Sequence, residues 1–144
     1  MFRYAEILLN YAEAMVNAYG DPDYTGSYSL SARDAVNQVR NRGDVKMPAY
    51  PADMSKDAFL KRLKNERRVE FAFEGQRFWD LRRWKELDDM QNIYKVKVVK
   101  QTDGTIQYTK ALHATYNIQD KMYFYPISNT ELFKNHKLVQ NTGW

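Results

Sequence analysis

The densest group of side chains able to do acid–base or ion-pair chemistry lies between residues 66 and 84. Carboxylates, arginines and aromatic residues alternate there within one short stretch. Helical residues four apart lie roughly 6 Å from each other on one face, so neighbouring glutamates could act as the acid and base of a glycoside hydrolase. The carboxylates are Glu66, Glu70, Glu74 and Asp80, the arginines are Arg67, Arg68, Arg77, Arg82 and Arg83, and the aromatic residues are Phe71, Phe73, Phe78, Trp79 and Trp84.

The arginines favour a second interpretation, in which the stretch is a structural ion-pair network. Each arginine can form a forked pair with a carboxylate, and a neighbouring cation keeps that acid ionised and unable to donate a proton. If the network is buried, we expect Glu70→Gln to destabilise the fold by roughly 3–5 kcal/mol, because it leaves arginines unpaired. We therefore predict no catalytic residue and a structural clamp made of Glu66, Arg67, Glu70, Glu74, Arg77, Asp80 and Arg83.

The sequence predicts neither a metal site nor a cofactor. A di-metal carboxylate site needs supporting histidines. His113 and His136 have no ligand pattern around them and are predicted to be ordinary loop residues. The absence of cysteine excludes disulfides, thiol catalysis and zinc–cysteine sites.

Tyrosines in predicted loops are the candidate ligand contacts. A tyrosine ring buries area against an amphipathic ligand such as a sugar, while its hydroxyl stays hydrogen-bonded. The candidates are Tyr24, Tyr28, Tyr50 and Tyr116, with the alternative that they only cover the body of the protein. Trp79 and Trp84 could also stack on a sugar, but we predict that they are core packing or a lid over the ion pairs.

Four helices are predicted to position these side chains. Residues 3–19 carry one narrow polar stripe with helical period, which predicts a helix packed on several sides. Ser31 is a predicted N-cap of the second helix and Ser55 of the third. Gly75 is expected to break the third helix, and residues 76–90 to form the fourth. The first two helices form an antiparallel pair with small residues between them, as in tetratricopeptide-type repeats.

The pattern changes to period two after residue 94. Residues 94–100 and 105–110 predict a β-hairpin with its lysines towards water. A loop over 113–121 and a short extended run over 122–126 follow. Residues 128–131 predict a capping box that opens a last short helix. The polar tail over 140–144 ends in an aromatic residue expected to dock back on the body.

Length and charge limit the classes of protein that remain. The 144 residues are long enough for one domain with a core, and we expect residues 1–144 to form it. The net charge of +4 is mild and the lysines are spread out, which does not favour nucleic-acid binding. No apolar run is long enough to cross a bilayer. Because residues 1–5 enter a helical pattern with no leader or cap, we expect a fragment of a longer protein.

Five motifs follow one another along nearly the whole chain, which is far more specific than any single motif. They are the segment Arg-Tyr-Ala-Glu-Ile-Leu-Leu-Asn-Tyr-Ala-Glu-Ala at 3–14, Val-Asn-Gln-Val-Arg-Asn-Arg at 36–42, the central Glu-Arg, Glu-Phe, Glu-Gly-x-Arg and Asp-Leu-x-Arg-Trp pattern, Tyr-Pro-Ile at 125–127, and Gln-Asn at 140–141 with the terminal aromatic. In this order they resemble the C-terminal region of the SusD/RagB family, the surface nutrient-binding lipoproteins of Bacteroidetes.

The resemblance implies a mainly α fold of tetratricopeptide-like helix pairs, with a small β-hairpin and an irregular C-terminal segment. It implies a protein on the outer surface of the outer membrane, held by an N-terminal lipid on a cysteine that this chain does not contain. It also implies capture of a glycan or oligosaccharide, without catalysis, for delivery to a SusC-like TonB-dependent transporter. Ligand residues vary with the glycan in this family, so no family binding position transfers to a residue here.

Two other functions stay open on the residues alone. The helix pairs could form the repeat surface of a protein-interaction scaffold. The paired glutamates could belong to a glycoside hydrolase, which is the less favoured of the two.

Overall fold

The protein is described by a computed structural model that covers residues 3–43 and 45–144. The fold is mainly helical with one small hairpin and an irregular C-terminal segment, so the predicted fold class is confirmed. The elements in chain order are α1 (Tyr4–Tyr19), α2 (Ala32–Arg40), α3 (Lys56–Glu70), α4 (Gln76–Trp84), β1 (Asn92–Lys100), β2 (Ile106–Thr115) and α5 (Asn129–Lys134), with 3-10 turns at Leu87–Met90 and Asp120–Tyr123.

The chain divides into two compact units. The first ends at Arg77, and the second runs from Phe78 to Trp144. Each unit is described by itself below, and the assignment of residues 1–144 to a single domain stays a prediction.

The core of the first unit lies where α1 packs against α2 and α3. Ala12, Ala32 and Ala35 are fully buried, and their small side chains allow the helix backbones to approach closely. Phe59 and Leu63 of α3 supply the large buried side chains. Residues from all three helices therefore form one contiguous apolar cluster.

Helix α1 is buried on one face only, which corrects the expectation that it is packed on several sides. Its buried residues are Leu8, Leu9, Ala12, Met15 and Val16, which follow the helical period along a single stripe. Tyr4 and Ile7 lie outside that stripe and are 66% and 58% exposed. Helix α1 therefore has more apolar residues than the first unit buries.

The ends of α2 and α3 show why these segments are helical. The Ser31 hydroxyl accepts a hydrogen bond from the Asp34 amide, and the Asp34 carboxylate accepts one from the Ser31 amide, as the capping-box pattern predicted. The Ser55 hydroxyl caps α3 by accepting one hydrogen bond from the amide of Ala58. Helix α3 ends at Glu70, before the predicted break, because Phe73 and Gly75 both have left-handed φ angles, of 66° and 77°.

In the second unit, α4 ends at Trp84 rather than at residue 90. Lys85 takes a left-handed φ of 58°, and the chain continues as the 3-10 turn Leu87–Met90. Strands β1 and β2 pair antiparallel with Val98 opposite Tyr108. The strands are longer than predicted, so that His113 lies in β2 and not in a loop. Val96 and Val98 are exposed, as are the lysines of the hairpin.

The last third of the chain differs from prediction in two places. Residues 120–123 form a 3-10 turn where an extended run was expected, and the chain becomes extended only at Phe124. The predicted capping box at 128–131 is wrong, because the Ser128 side chain makes no capping hydrogen bond and the Glu131 carboxylate pairs with Lys134 at 3.0 Å. Helix α5 forms without that cap.

Candidate functional site

The first candidate site is the row of glutamates at the end of α3, here called the glutamate row: Glu66, Glu70 and Glu74. Glu70 is its central member, with a side chain only 10% exposed. The Oε1 atom of Glu70 accepts hydrogen bonds from Arg3 Nη1 at 2.8 Å and from Arg42 Nη1 at 2.7 Å. Two cations from different parts of the sequence thus meet at a single carboxylate oxygen.

Arg3 makes four hydrogen bonds to the row, including the bond to Glu70 Oε1 given above. Its Nε and Nη2 atoms donate to the two carboxylate oxygens of Glu74 at 3.1 and 2.6 Å, a forked arrangement. Nη2 also donates to the backbone carbonyl of Glu70 at 2.7 Å. The guanidinium lies over the Phe71 ring, 5.1 Å from its centroid. Arg3 thereby joins the start of α1 to the end of α3.

These bonds keep Glu70 ionised. Burial by itself raises the pKa of the Glu70 carboxyl, but the hydrogen bonds from Arg42 and Arg3 outweigh burial and lower the pKa below its ordinary value. The same bonds raise the pKa of Arg3. An acid with a lowered pKa is deprotonated at neutral pH and is a poor proton donor for glycoside cleavage.

Glu66 is held by Arg40 and Tyr50. Arg40 Nη1 donates to Glu66 Oε2 at 2.5 Å, and the Tyr50 hydroxyl donates to the same oxygen at 3.4 Å. Tyr50 is only 6% exposed and packs edge-on against the Phe59 ring. Burial, followed by the charge of Glu66, raises the pKa of the Tyr50 hydroxyl. Tyr50 is therefore a core residue, and the expectation that it is an exposed loop tyrosine is wrong.

The partners of the glutamate row differ from those expected. The sequence pointed to Arg67, Arg77 and Arg83, whereas the row binds Arg3, Arg40 and Arg42. Arg67 is buried, donates to the Asn10 side chain at 2.5 Å and lies over the Phe71 ring. The sequence did offer a signal for two of these partners. Arg40 and Arg42 are two cations close together at the end of the pattern that predicts α2.

The remaining members of the predicted clamp occupy different units. Arg77 is partly buried at the end of the first unit. In the second unit, Arg83 Nε donates to the buried Asp80 carboxylate at 2.9 Å, as an i,i+3 pair on α4. Trp84 is partly buried, with the Arg83 guanidinium 4.6 Å from its ring centroid, whereas Trp79 is 55% exposed.

Two of the predicted ligand tyrosines meet in an exposed group here called the tyrosine cluster: Tyr11, Tyr19, Tyr24 and Tyr28. The rings of Tyr19 and Tyr24 are stacked with centroids 4.2 Å apart. The hydroxyls of Tyr19 and Tyr28 are hydrogen-bonded at 3.2 Å, and the Tyr28 ring meets the Tyr11 ring edge-on. Tyr24 is 38% exposed and Tyr28 is 48% exposed. Sequence reasoning missed Tyr11 and Tyr19 because they belong to α1.

A groove adjoins the tyrosine cluster on the α1 side. Its volume is about 210 Å³, and it is lined by Tyr4, Ile7, Leu8, Tyr11, Tyr28, Ser29 and Leu30. The Tyr11 hydroxyl donates to the Leu30 carbonyl at 2.6 Å. This bond joins α1 to the loop that forms the other side of the groove. The exposed apolar residues of α1 therefore continue the aromatic surface of the cluster.

Tyr116, the fourth predicted ligand tyrosine, belongs to the second unit and is 56% exposed. Its backbone amide donates to the Gln91 carbonyl at 2.7 Å, immediately after β2. Its role in ligand binding stays a prediction.

The second unit also contains an aromatic group around an arginine, here called the arginine–aromatic site: Phe78, Trp79, Arg82 and Tyr125. The Arg82 guanidinium lies 3.8 Å from the Phe78 ring centroid and 5.1 Å from that of Tyr125. Sequence reasoning did not single out Arg82 or Tyr125. The i,i+4 spacing of Phe78 and Arg82 on α4 was the available signal.

The C-terminal tail holds the segment that contains Tyr125. The Gln140 side chain accepts from the Ile127 amide at 2.7 Å and donates to the Ile127 carbonyl at 2.9 Å. Asn141 Nδ2 donates to the Tyr125 carbonyl at 2.6 Å. The Trp144 indole donates to the carbonyls of Lys121 and Phe124. The tail therefore docks as expected, through side-chain bonds to backbone groups.

Two features are absent from residues 3–43 and 45–144. No group of three or more histidine, cysteine, aspartate or glutamate side chains is arranged to hold a metal ion. No helix in this part of the chain is long and apolar enough to span a membrane.

Comparison with known proteins agrees with the fold and the motifs. The model of the SusD family matches residues 1–144. A SusD-like protein (BF3747) from Bacteroides fragilis NCTC 9343 is 32% identical, with a TM-score of 0.80 over 99% of this chain and 25% of its own. A protein named BT4246 is 29% identical, with a TM-score of 0.74 over 100% of this chain and 23% of its own.

The chain spans about a quarter of the length of these two solved structures. No protein with a curated description is significantly similar to it in sequence. Because the family model matches the whole chain, and a SusD-like structure shares its fold at 32% identity, the chain belongs to the SusD family.

Proposed function

We propose that the chain is part of a glycan-binding protein of an outer-membrane nutrient uptake system. In this proposal it captures an oligosaccharide by non-covalent contacts and passes it to a SusC-like TonB-dependent transporter. Membership of the SusD family supports the general role. The exposed tyrosine cluster is the observation that carries the proposal for this chain.

The tyrosine cluster has the chemistry that sugar binding requires. Exposed ring faces of Tyr24 and Tyr28 offer apolar surface for the C–H faces of a pyranose. The hydroxyls of Tyr19 and Tyr28 already bond to each other, so both have settled orientations before a ligand arrives. A rigid aromatic group loses little conformational entropy on binding, because each ring has only two rotatable bonds.

The groove beside the cluster suits the edge of a ligand rather than a whole one. Its volume of about 210 Å³ is below the roughly 300–1,000 Å³ of typical small-molecule pockets. We expect one sugar ring to lie on the tyrosine rings while an adjoining residue of the oligosaccharide enters the groove past Tyr4 and Ile7.

The ionised state of Glu70 supports the proposal of binding without cleavage. Glu70 has a lowered pKa, and one of its oxygens accepts hydrogen bonds from both Arg3 and Arg42. Such a carboxylate lacks the proton that a glycosidase acid must deliver. We therefore assign the row a structural role and propose that the protein is not an enzyme.

Location and anchoring belong to the same proposal. A protein with this role faces outward on the cell outer membrane, held by a lipid on an N-terminal cysteine outside this chain. Fractionation of cells expressing the parent protein, with protease shaving of the intact surface, tests the location. Co-purification with a SusC-like protein from solubilised outer membranes tests the partnership, and reproducible absence of that protein contradicts it.

Calorimetric titration of the 144-residue chain with a panel of neutral oligosaccharides tests the binding site. We expect Tyr28→Ala to weaken binding about tenfold by removing one ring of the cluster. Tyr28→Phe keeps the ring and should lose less. Tyr108→Ala removes a ring from β2 that lies outside the cluster and is more exposed, 66% against 48% for Tyr28, and should leave affinity unchanged.

Three other results would each overturn part of the proposal. Equal losses in Tyr28→Ala and Tyr108→Ala would place the ligand elsewhere. Release of reducing sugar by the chain, abolished by Glu70→Gln, would establish a glycoside hydrolase. Absence of binding to every glycan in the panel by both the chain and its full-length parent would favour the interaction scaffold instead.

A further inference from the structure

Arg82 differs from its neighbour Arg83 in what it contacts. The neighbouring Arg83 is paired with the buried Asp80 at 2.9 Å. Arg82 instead lies between two rings, and its buried Nε atom has no hydrogen-bond partner among the described residues. A guanidinium has five N–H donors, and a buried donor left unbonded costs free energy. The side chain is thus a cation held against two rings, with its Nε donor unsatisfied.

The two rings hold Arg82 in one orientation. Phe78 lies one helical turn before it on the same face of α4, which places the ring 3.8 Å from the guanidinium carbon. Tyr125 approaches at 5.1 Å, and its backbone carbonyl is fixed by Asn141. The faces of the planar guanidinium are stacked on the aromatic rings, so its N–H groups can form hydrogen bonds only along its edge.

Exposed aromatic surface lies beside this cation. Trp79 and Tyr125 are 55% and 54% exposed, their centroids are 6.0 Å apart, and their planes are inclined at 54°. Each ring therefore offers exposed surface that can take the apolar face of a sugar ring. Phe124, the residue before Tyr125, is also exposed. The site therefore combines one oriented positive charge with stacking surface for a ligand ring.

We propose that the arginine–aromatic site binds an acidic sugar residue, a hexuronate within an oligosaccharide. The carboxylate pairs with Arg82, and the sugar ring stacks on Trp79 or Tyr125. This proposal rests on the proposed glycan-binding function. It adds a second binding position, besides the tyrosine cluster, that prefers a negatively charged sugar residue. A planar carboxylate matches the guanidinium edge with two parallel hydrogen bonds.

The test compares tri-galacturonate with its fully methyl-esterified form, in calorimetric titrations of the 144-residue chain. Esterification removes the charges and leaves the sugar rings. We expect the acid to bind about tenfold more tightly than the ester, with the difference shrinking as salt rises. Arg82→Gln should abolish the preference. Trp79→Ala should weaken binding of both forms, because it removes stacking surface and no charge.

The matched control is Arg68→Gln. Arg68 is an exposed arginine of α3, in the first unit, and its removal lowers the net charge by the same amount. If the acid preference is equally reduced in Arg68→Gln, general attraction to a basic protein explains it and the proposal is wrong. Circular dichroism melts of Arg82→Gln and Arg82→Lys check folding. Retention of the preference by Arg82→Lys alone would confirm that the charge at this position sets it.

The remaining outcomes separate this proposal from the proposed function. Equal affinity for the acid and the ester, with neutral glycans still bound through Tyr28, overturns only the acidic site. Absence of binding by any saccharide overturns both. Acid preference that survives Arg82→Gln and is lost in Tyr28→Ala would assign the carboxylate to the tyrosine cluster and overturn the present proposal.

Discussion

Arg3, the residue at the N-cap of α1, forms a 2.8 Å ion pair with Glu70, the last residue of α3, across 67 positions of sequence. Arg42, just beyond α2, reaches the same oxygen of Glu70 at 2.7 Å. One carboxylate thus ties together segments adjoining all three helices of the first unit. The ionic contact lies at the rim of the apolar core that these helices share.

Glu70→Gln should destabilise the chain by about 2 kcal/mol. Loss of one partner of a fully buried pair costs roughly 3–5 kcal/mol, but Arg3 and Arg42 are 36% and 40% exposed and can turn towards water. Urea unfolding followed by circular dichroism measures the change. Glu131→Gln, which removes the exposed partner of Lys134, is the control and should cost less than about 0.5 kcal/mol. Equal effects would show that the glutamate row is not structural.

Arg33 should matter more for stability than the Asp23 carboxylate that it binds. Its side chain is 8% exposed and donates to Asp23 at 2.6 Å, to the Pro51 carbonyl and to the Ala52 carbonyl at 2.7 Å. Arg33→Met leaves all these acceptors without their donor and should cost about 3 kcal/mol. Asp23→Asn should cost about 1 kcal/mol, because Asp23 is half-exposed and the carbonyl bonds remain. The reverse order of the two unfolding free energies would contradict this assignment.

Stability should fall in acid through Glu70 and Asp23. Hydrogen bonding to Arg33 lowers the pKa of Asp23, and the bonds from Arg42 and Arg3 outweigh burial and lower the pKa of Glu70. A carboxyl whose pKa is lowered by folding adds stability above its unfolded-state pKa, which is 4.5 for glutamate and 3.8 for aspartate. That stability is lost as pH falls through the folded-state pKa.

Urea titrations at steps from about pH 6 to about pH 3 measure this dependence as the slope of unfolding free energy against pH. Each of Glu70→Gln and Asp23→Asn should reduce the slope, and the double variant should reduce it further. A wild-type slope that both substitutions leave unchanged would assign the acid sensitivity to other carboxylates.

Gln140→Ala should loosen the segment around Ile127 without unfolding the chain. The Gln140 side chain makes both backbone hydrogen bonds of Ile127 described above, at 2.7 and 2.9 Å. Hydrogen exchange of the Ile127 amide should therefore accelerate by about tenfold or more. Gln107→Ala removes an exposed glutamine of β2 and should leave the Ile127 amide unchanged. Unaltered exchange in Gln140→Ala would mean that the tail does not hold this segment.

Local sequence patterns predicted the positions of the helices well. They predicted poorly which side chains form caps and ion pairs with one another. Ser31 and Asp34 form the capping box that their spacing indicates, because both groups belong to one helical turn. Ser128 and Glu131 have the same spacing, yet Glu131 pairs with Lys134 instead. The competing partner lies one turn further along the helix, and residue spacing alone does not rank the two contacts.

The burial of Tyr50 shows a second limit of prediction from local sequence. Prolines on both sides of Tyr50 indicate a loop, and the structure agrees that no helix or strand forms there. Its amide donates to the Asn37 side chain and its ring packs on Phe59 of α3, so long-range contacts decide its exposure. For the same reason Arg3, Arg40 and Arg42 were not predicted as partners of the glutamate row, since that choice depends on how three helices pack.

The span of the Arg3–Glu70 pair has a consequence for folding kinetics. Strands β1 and β2 meet through a short turn, with Lys100 paired to Ile106, and hairpins of this kind close within about 1–10 μs. The Arg3–Glu70 contact closes 67 positions, and because closing so long a loop costs entropy we expect it to form late in folding. Contacts that form after the transition state act on unfolding. We therefore expect Glu70→Gln to speed unfolding while leaving the refolding rate nearly unchanged, so that this carboxylate governs how long the first unit stays folded.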